Sequence, residues 1–135
     1  MKPKKKVTCY RVEVLLGDKA WLNANQRLFW RVRSARVKAW REAAGQRAIE
    51  MHIPRMDSAY ILAELRFSTN QRRDPANWAP TAKACVDGLV DAGVFVDDSH
   101  KYVTGPDMRI GEKVPEDRRG LHLLIFPTDH EGITG

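Results

Sequence analysis

Residues 60–98, YILAELRFSTNQRRDPANWAPTAKACVDGLVDAGVFVDD, decide the fold that we expect for this chain. Residues 60–67 alternate apolar with other side chains, which predicts a strand with one buried face. Residues 77–92 predict a helix with Pro80 in its first turn, where proline is tolerated. Gly93 is the residue type that commonly closes a helix, and the short apolar run 94–96 predicts a strand or extended segment. We therefore expect a strand–helix–strand unit here.

The flanking sequence adds further strands and one more helix. Residues 7–16 partly alternate and predict a strand, residues 27–49 predict a long basic helix, and residues 101–109 and 121–126 predict later strands. The apolar stripe expected on the first helix consists of Leu28, Val32, Ala35, Ala39, Ala43 and Ala48. The expected fold class is α/β or α+β in the order β-α-β-α-β-β, with two main helices packed on one face of a small mixed sheet.

Length and composition predict one domain with a hydrophobic core. The chain has 135 residues, of which 43% are hydrophobic, and this suits a single core. We expect a basic flexible arm at residues 1–6, one domain at 7–127 and a flexible tail at 128–135. No run approaches the ~20 apolar residues of a membrane span, so we expect no membrane partner. No long apolar stretch follows the basic start, so we expect no signal peptide and a cytoplasmic protein. Cys9 and Cys85 lack metal-motif spacing and are expected to be reduced.

The positive charge is concentrated in three segments. The net charge is +6, and basic residues cluster in residues 2–6, 27–47 and 72–73, upstream of an acidic pair at Asp97 and Asp98. Basic surfaces of this kind bind phosphate backbones, although many cationic proteins bind no nucleic acid. Net charge alone therefore does not indicate a polyanionic partner, but the concentration of basic residues in these segments, separate from the acidic residues, favours one more strongly than net charge does.

Three groups of polar residues are candidates for chemistry, and each also has an ordinary explanation. Asp74 lies just before the predicted second helix, where aspartate is common in the entry turn. Lys83 and Asp87 are four residues apart and share a helix face, as in an exposed ion pair that contributes little stability. Asp97 and Asp98 follow an apolar run, where a turn is equally natural. Clustered carboxylates on a basic protein are also what holds Mg²⁺ beside a polyanion.

Whether the acidic groups meet in space cannot be derived from their spacing. A helix of roughly 16 residues spans roughly 24 Å, and the segment that returns from it has only about four residues. Asp97 and Asp98 would have to approach the middle of the helix or a loop of a partner chain.

Histidines and tryptophans provide weaker signals. No two histidines have the helical spacing of a metal pair, and we expect His122, which alternates with apolar residues, to be structural, while His100 is close to Asp98 in sequence. The sequence contains no Ser/His/Asp motif, phosphate-binding loop or dinucleotide fingerprint. Four tryptophans are expected in the core or in a dimer interface, and an exposed one could stack on an unpaired base: Trp21, Trp30, Trp40 and Trp78.

The second half of the chain resembles the RusA family of Holliday-junction resolvases, which is common in phages and prophages. The family pattern is a basic run, Asp-x-Asp-Asn, a Lys in the following helix, Asp-x-Leu four residues later, a Gly after the helix, and Asp-Asp after a short apolar strand. The matching segments here are Arg72-Arg73-Asp74-Pro75-Ala76-Asn77, Lys83, Asp87-Gly88-Leu89, Ala92-Gly93 and Asp97-Asp98. The resemblance covers about residues 7–127, and in the first half it rests mainly on layout and on an Asn-containing loop at residues 21–25.

Two departures from the family pattern bear on activity. Ala76 stands where the family usually has a second aspartate, and the spacing from Asn77 to Lys83 is longer than usual. One carboxylate of the expected set is therefore missing. Either Asp87 or a neighbour compensates, or Mg²⁺ keeps more water ligands, or activity is lost or altered.

The resemblance implies an endonuclease that cuts four-way DNA junctions as a homodimer, with Mg²⁺ as cofactor and Mn²⁺ as an alternative. The residues implied in catalysis are Asp74, Lys83, Asp87 and Asp98. The residues implied in metal binding are Asp74, Asp97 and Asp98. The residues implied in DNA binding are Asn25, Arg27, Arg31, Arg72, Arg73 and Asn77.

Three other functions remain open from the sequence. Ala76 favours a catalytically silent protein that binds branched DNA without cutting it. A metal-dependent nuclease for another branched or single-stranded DNA has the same residues. An interaction protein with an ordinary charged surface would show no salt-dependent DNA binding.

Overall fold

A computed structural model describes residues 9–16 and 20–128. The expected basic arm, the first two residues of the first predicted strand and residues 129–135 of the expected tail lie outside these ranges. The regular elements are β1 (Tyr10–Val14), α1 (Trp30–Glu50), β2 (Ala59–Arg66), α2 (Ala79–Asp91), β3 (Val103–Ile110) and β4 (Gly120–Pro127), with short 3₁₀ helices at Pro75–Trp78 and Glu116–Arg118. The predicted mixed fold class and its element order are confirmed.

The sheet has four strands in the order β1-β4-β2-β3. β4 pairs antiparallel with β1 and with β2, whereas β2 and β3 run parallel. The parallel pair needs a crossover, which α2 provides. In β2 every second residue is buried, as the sequence predicted, and Ile61 and Leu65 are fully inaccessible. β4 is buried on both faces over most of its length, as expected for a central strand.

The two helices cross with their backbones in contact. A Cβ on Gly45 would lie 3.0 Å from the carbonyl oxygen of Gly88, and a Cβ on Gly88 would overlap the carbonyl oxygen of Arg41. Beside the crossing, the guanidinium of Arg41 donates two hydrogen bonds to the carboxylate of Asp91, at 2.5 and 2.8 Å. Glycine is therefore required at the crossing, and a bidentate ion pair spans its exposed edge.

The apolar stripe predicted on α1 was largely wrong. The buried residues of α1 are Trp40, Ala44, Gly45 and Ala48, whereas Val32 is 42% exposed and Ala35 and Ala39 are also exposed. Leu28 precedes the helix. The face that packs is the face that contains Gly45, because only there can the backbone of α1 approach α2.

Residues 94–96 form bends and not a strand. Gly93 has a φ of +86°, and the backbone N–H of Val94 donates to the carbonyl oxygen of Leu89 at 3.0 Å. The carbonyl of Val94 in turn accepts from the backbone N–H of Met56 at 2.8 Å. These bonds close α2, and Val94 and Phe95 are buried in the core beneath the turn, whereas Val96 is exposed. The strand follows later as β3, where residues 101–109 predicted one.

Both cysteines are free thiols, Cys9 half-buried and Cys85 buried. Burial raises the pKa of the Cys85 thiol above its usual range, so this thiol is inert and serves packing. Across the two described ranges, no helix combines the length and the apolar character needed to cross a bilayer.

Candidate functional site

The middle of α2 and the loop after it bring three of the proposed catalytic residues together. Lys83 Nζ donates to Asp87 Oδ1 at 2.7 Å, one helical turn away. The same ammonium donates to Asp98 Oδ2, fifteen residues further along the chain. The side chain of Lys83 is 57% exposed and that of Asp98 37% exposed. The cluster is therefore accessible from solvent.

The path of the chain after α2 explains this convergence. Because Gly93 and the Val94–Leu89 hydrogen bond turn the chain sharply, the following residues run back along the helix. The Asp97 carboxylate accepts from the backbone N–H of Ser99 at 2.7 Å, which fixes the turn in which Asp98 sits. The sequence did not decide whether Asp97 and Asp98 approach the middle of the helix or a loop of a partner chain. In the structure, Asp98 reaches the middle of α2 within one chain.

The electrostatics of the cluster keep it charged. Burial lowers the pKa of Lys83, but the hydrogen bonds to Asp87 and Asp98 outweigh it and raise the pKa above the ordinary value of 10.5. The hydrogen bond from Lys83 lowers the pKa of Asp98, and Asp87 acts in the same direction. At neutral pH the cluster holds a protonated ammonium beside ionised Asp98.

Asp74 lies elsewhere, at the start of the 3₁₀ turn that precedes α2. Its Oδ1 accepts from the backbone N–H of Ala76 at 3.1 Å, and its carbonyl oxygen accepts from Asn77 N–H at 3.1 Å. This is the helix-entry role that aspartate commonly has. Within the described residues, no three acidic, histidine or cysteine side chains come together as a metal-binding group. The full set Asp74, Asp97 and Asp98 is thus not gathered at one point.

The residues that do meet fit Mg²⁺ in their chemistry. Asp87 and Asp98 both reach the Nζ of Lys83 and so present carboxylate oxygens to one position. Magnesium is usually held by one or two carboxylates and keeps several waters, so two such groups meet its requirement. A divalent cation there would compete with the ammonium for the same oxygens. Asp87 and Asp98 would hold such a cation, which would polarise a phosphoryl oxygen and lower the pKa of a bound water.

The residues predicted to bind DNA lie in two connected segments before α1 and α2, except for Arg31, which is on α1. The Ala24 N–H donates to the carbonyl oxygen of Asn77 at 2.7 Å, which joins the loop before α1 to the turn before α2. Asn25, Arg27 and Arg72 are exposed in these segments. Arg31 is exposed on α1, and its guanidinium lies 5.2 Å from the ring of Trp30.

Arg73 is more constrained than its neighbour. Its guanidinium lies 3.9 Å from the centre of the Phe67 ring and donates to Thr69 Oγ1 at 2.8 Å. Burial lowers the pKa of Arg73, although it stays far above neutral pH. Arg73 thus holds the loop in shape as well as contributing charge.

Thr81 is a site-building residue that sequence reasoning missed. Its hydroxyl accepts from the Leu22 N–H at 3.0 Å and donates to the Leu22 carbonyl at 2.7 Å, and all these groups are buried. One side chain thereby fixes the loop before α1 against α2. The two residues are 59 positions apart, and no local pattern marks such a pair.

The tryptophans and the histidines each include buried and exposed residues. Trp21 and Trp40 are buried in the core, whereas Trp30 is 64% exposed beside Phe29, which is equally exposed. His122 is buried and lies 3.0 Å from Glu13, so its predicted structural role is confirmed. His100 is exposed.

A scan of the chain against models of known protein families and a search of curated proteins both found no match.

Proposed function

We propose that this protein is a Mg²⁺-dependent endonuclease that cuts four-way DNA junctions by hydrolysing phosphodiester bonds in DNA recombination and repair. The observation that carries the proposal is the convergence of Lys83, Asp87 and Asp98. These are residues through which the sequence resembles the RusA family. The sequence pattern alone did not place Lys83 and Asp98 in contact.

Each residue of the cluster has a defined task in this proposal. Asp87 and Asp98 would hold Mg²⁺, with Asp74 and Asp97 contributing if the loops close on DNA. Bound magnesium supplies a polarised phosphoryl oxygen and a water of lowered pKa. Lys83 is protonated at neutral pH and would stabilise negative charge that develops on the phosphate.

The basic loops would position the DNA. Arg72 is an exposed cation two residues before Asp74, and Arg27 and Arg31 are exposed cations in the loop before α1 and in the first turn of α1. Contacts of such side chains to phosphates fix register without reading sequence, so junction shape would dominate recognition. Paired cuts in a two-fold symmetric junction require two sites, and a homodimer would supply them. The proposed place of action is the cytoplasm, where thiols such as those of Cys9 and Cys85 stay reduced.

The test is incubation of the purified protein with a labelled four-way junction and Mg²⁺, beside a linear duplex of the same sequence. We expect paired nicks in the junction alone. Asp98→Asn and Asp74→Asn should each abolish cleavage and leave junction binding largely intact. The matched control is Asp117→Asn, which removes one exposed carboxylate that belongs neither to the Lys83 cluster nor to the turn of Asp74. Full cleavage by Asp98→Asn would remove the cluster from the mechanism.

A second function is favoured by the surroundings of Asp74. Ala76 stands where the RusA family usually has an aspartate. The side chain of Asp74 accepts a hydrogen bond from the backbone N–H of Ala76. Both features suit a protein that binds branched DNA without cutting it. Junction binding without nicks in Mg²⁺ or Mn²⁺ would favour this function, and Ala76→Asp would then test whether the missing carboxylate explains the silence.

A further inference from the structure

A cavity of about 500 Å³ lies beside the turn that carries Asp74. Three aromatic rings form its walls, namely those of Trp21, Phe67 and Trp78. The polar side chains around it belong to the loop before α1 and to the basic run, and include Asn23, Gln26 and Arg73. The volume is in the range of sites that take small organic groups.

The aromatic walls form one packed cluster. The Phe67 ring centre lies 5.1 Å from that of Trp21 and 5.4 Å from that of Trp78, the latter in an edge-on arrangement. Trp21 also packs on Trp40 at 5.2 Å. Trp21 and Phe67 are almost fully buried and hold Trp78 in place, so the partly exposed Trp78 ring is the rigid apolar surface against which a flat ring can stack at low entropic cost.

The polar groups of the cavity are donors. Asn23 Oδ1 accepts from the Asn25 N–H at 2.7 Å, and Gln26 Oε1 accepts from the Asn23 N–H at 2.9 Å. The backbone therefore fixes both amide oxygens and leaves the two NH₂ groups without partners among the described residues. Trp21 Nε1 is buried and likewise lacks a partner there. Trp21 Nε1 has almost no accessible surface, so the donors that a ligand can reach are the NH₂ groups of Asn23 and Gln26, which would donate to a ligand that accepts hydrogen bonds.

We infer that this cavity takes one unpaired DNA base, an inference that rests on the proposed function and names the part of the substrate that the site would hold. One partly exposed ring, that of Trp78, combined with amide donors matches a nucleobase that presents carbonyl or ring-nitrogen acceptors. The cavity adjoins the turn of Asp74, and the Arg73 guanidinium beside it would face the phosphate of the same nucleotide. The protein would thereby recognise the distorted centre of a junction, where bases can leave the stack.

Two nearly isosteric variants test the donors. Asn23→Asp and Gln26→Glu each keep the oxygen that accepts a backbone N–H and replace the donating NH₂ by a carboxylate oxygen. Asn70→Asp is the matched control, because it adds the same charge on an exposed position of the neighbouring loop, outside the cavity. The substrates are four-way junctions that carry an abasic residue, or each of the four bases in turn, at the nucleotides flanking the branch point.

We expect one position at which the abasic residue lowers cleavage by the unmodified protein at least about fivefold, since one stacked base contributes on this scale. Asn23→Asp and Gln26→Glu should change the ranking of the four bases at that position. Asn70→Asp should keep the ranking. If the unmodified protein cuts junctions with equal rates at every abasic position, the inference fails while the proposed function stands.

A second measurement decides the case in which the protein binds junctions but does not cut them. 2-Aminopurine at the branch point should then change its fluorescence on binding to the unmodified protein and to Asn70→Asp. The change should be lost with Asn23→Asp and Gln26→Glu, and an unaltered signal in both would overturn the inference. Absence of both cutting and binding would overturn it together with the proposed function.

Discussion

Lys83 donates a hydrogen bond to Asp98 and so ties the middle of α2 to the loop that follows the helix. The contact depends on the sharp turn at Gly93 and leaves both side chains accessible. An ammonium held between carboxylates costs little to keep charged and can move outward when a cation or a phosphate arrives.

The first prediction concerns this ammonium. Lys83→Met should lower junction cleavage by about 100- to 1,000-fold, as removal of one group that stabilises a transition-state charge commonly does. Junction affinity should change much less. The matched control is Lys101→Met, which removes the same charge from an exposed position in the loop before β3. Equal rates for the two variants in a single-turnover assay would show that Lys83 has no role in the chemistry.

The second prediction concerns the contact between Thr81 and Leu22. Thr81→Val has nearly the same shape but leaves a buried N–H and a buried carbonyl of Leu22 without their partner. We expect the free energy of unfolding to fall by about 1–3 kcal/mol. Urea unfolding followed by circular dichroism measures this. Thr104→Val is the control, because Thr104 is exposed in β3. Two variants of equal stability would contradict the proposed anchoring.

Regular elements could be predicted from the sequence where a single face is buried. The alternation of Ile61, Ala63 and Leu65 in β2 is a strong signal, because each of these side chains has no accessible surface. The face of α1 could not be predicted, because alanines occur all around the helix and give no direction. Its orientation depends on the fit of Gly45 against Gly88, which lies on another element.

Within the candidate site, only the contact between neighbouring turns of α2 could be predicted from the sequence. The spacing of Lys83 and Asp87 predicted their contact, because four residues make one helical turn. The contact of Lys83 with Asp98 depends on how the chain turns after α2, and the apolar run 94–96 had predicted an extended segment there. The buried Thr81–Leu22 pair depends on tertiary packing alone. Long-range contacts of this kind leave no periodic signal in the sequence.

The third prediction concerns the helix crossing. Gly88→Ala would place a Cβ against the backbone carbonyl of Arg41, and backbone cannot move aside cheaply. We expect a loss of about 1–3 kcal/mol or more in the free energy of unfolding. In Gly111→Ala the nearest atom would be Arg66 Cγ at 3.1 Å, part of a flexible side chain, so this control should lose far less. Similar unfolding midpoints would argue against a close crossing.

The fourth prediction concerns the exposed aromatic pair Phe29 and Trp30, whose ring centres lie 6.0 Å apart. Adjacent large apolar side chains on a surface commonly mark an interface, and a second copy of the chain is the occupant that the proposed function requires. Trp30→Ala should shift the protein toward monomer in sedimentation velocity. Ile49→Ala truncates another side chain of α1, 58% exposed, and should not. If both variants keep the mass of the unmodified protein, this pair does not form the interface.

The fifth prediction concerns His122 and pH. Burial lowers the pKa of His122, Arg66 and Arg11 act in the same direction, and Glu13 and Glu64 oppose them. Although the Glu13 carboxylate is only 3.0 Å away, the net result is a pKa below the ordinary 6.5. The folded state therefore prefers neutral His122, while the unfolded chain takes up a proton near pH 6.5. This contribution to stability is present above that pH and is lost as the pH falls through the lower, folded pKa.

We therefore expect the urea midpoint to fall on acidification from about pH 7 to about pH 5, and His122→Gln to show a smaller fall because no proton is taken up at that position. His100→Gln is the matched control, because His100 is exposed and should keep the full dependence. An equal fall in His122→Gln and in the unmodified protein would mean that the pKa of His122 is the same in the folded and unfolded states, and a larger fall in His122→Gln would mean that the ion pair with Glu13 outweighs burial.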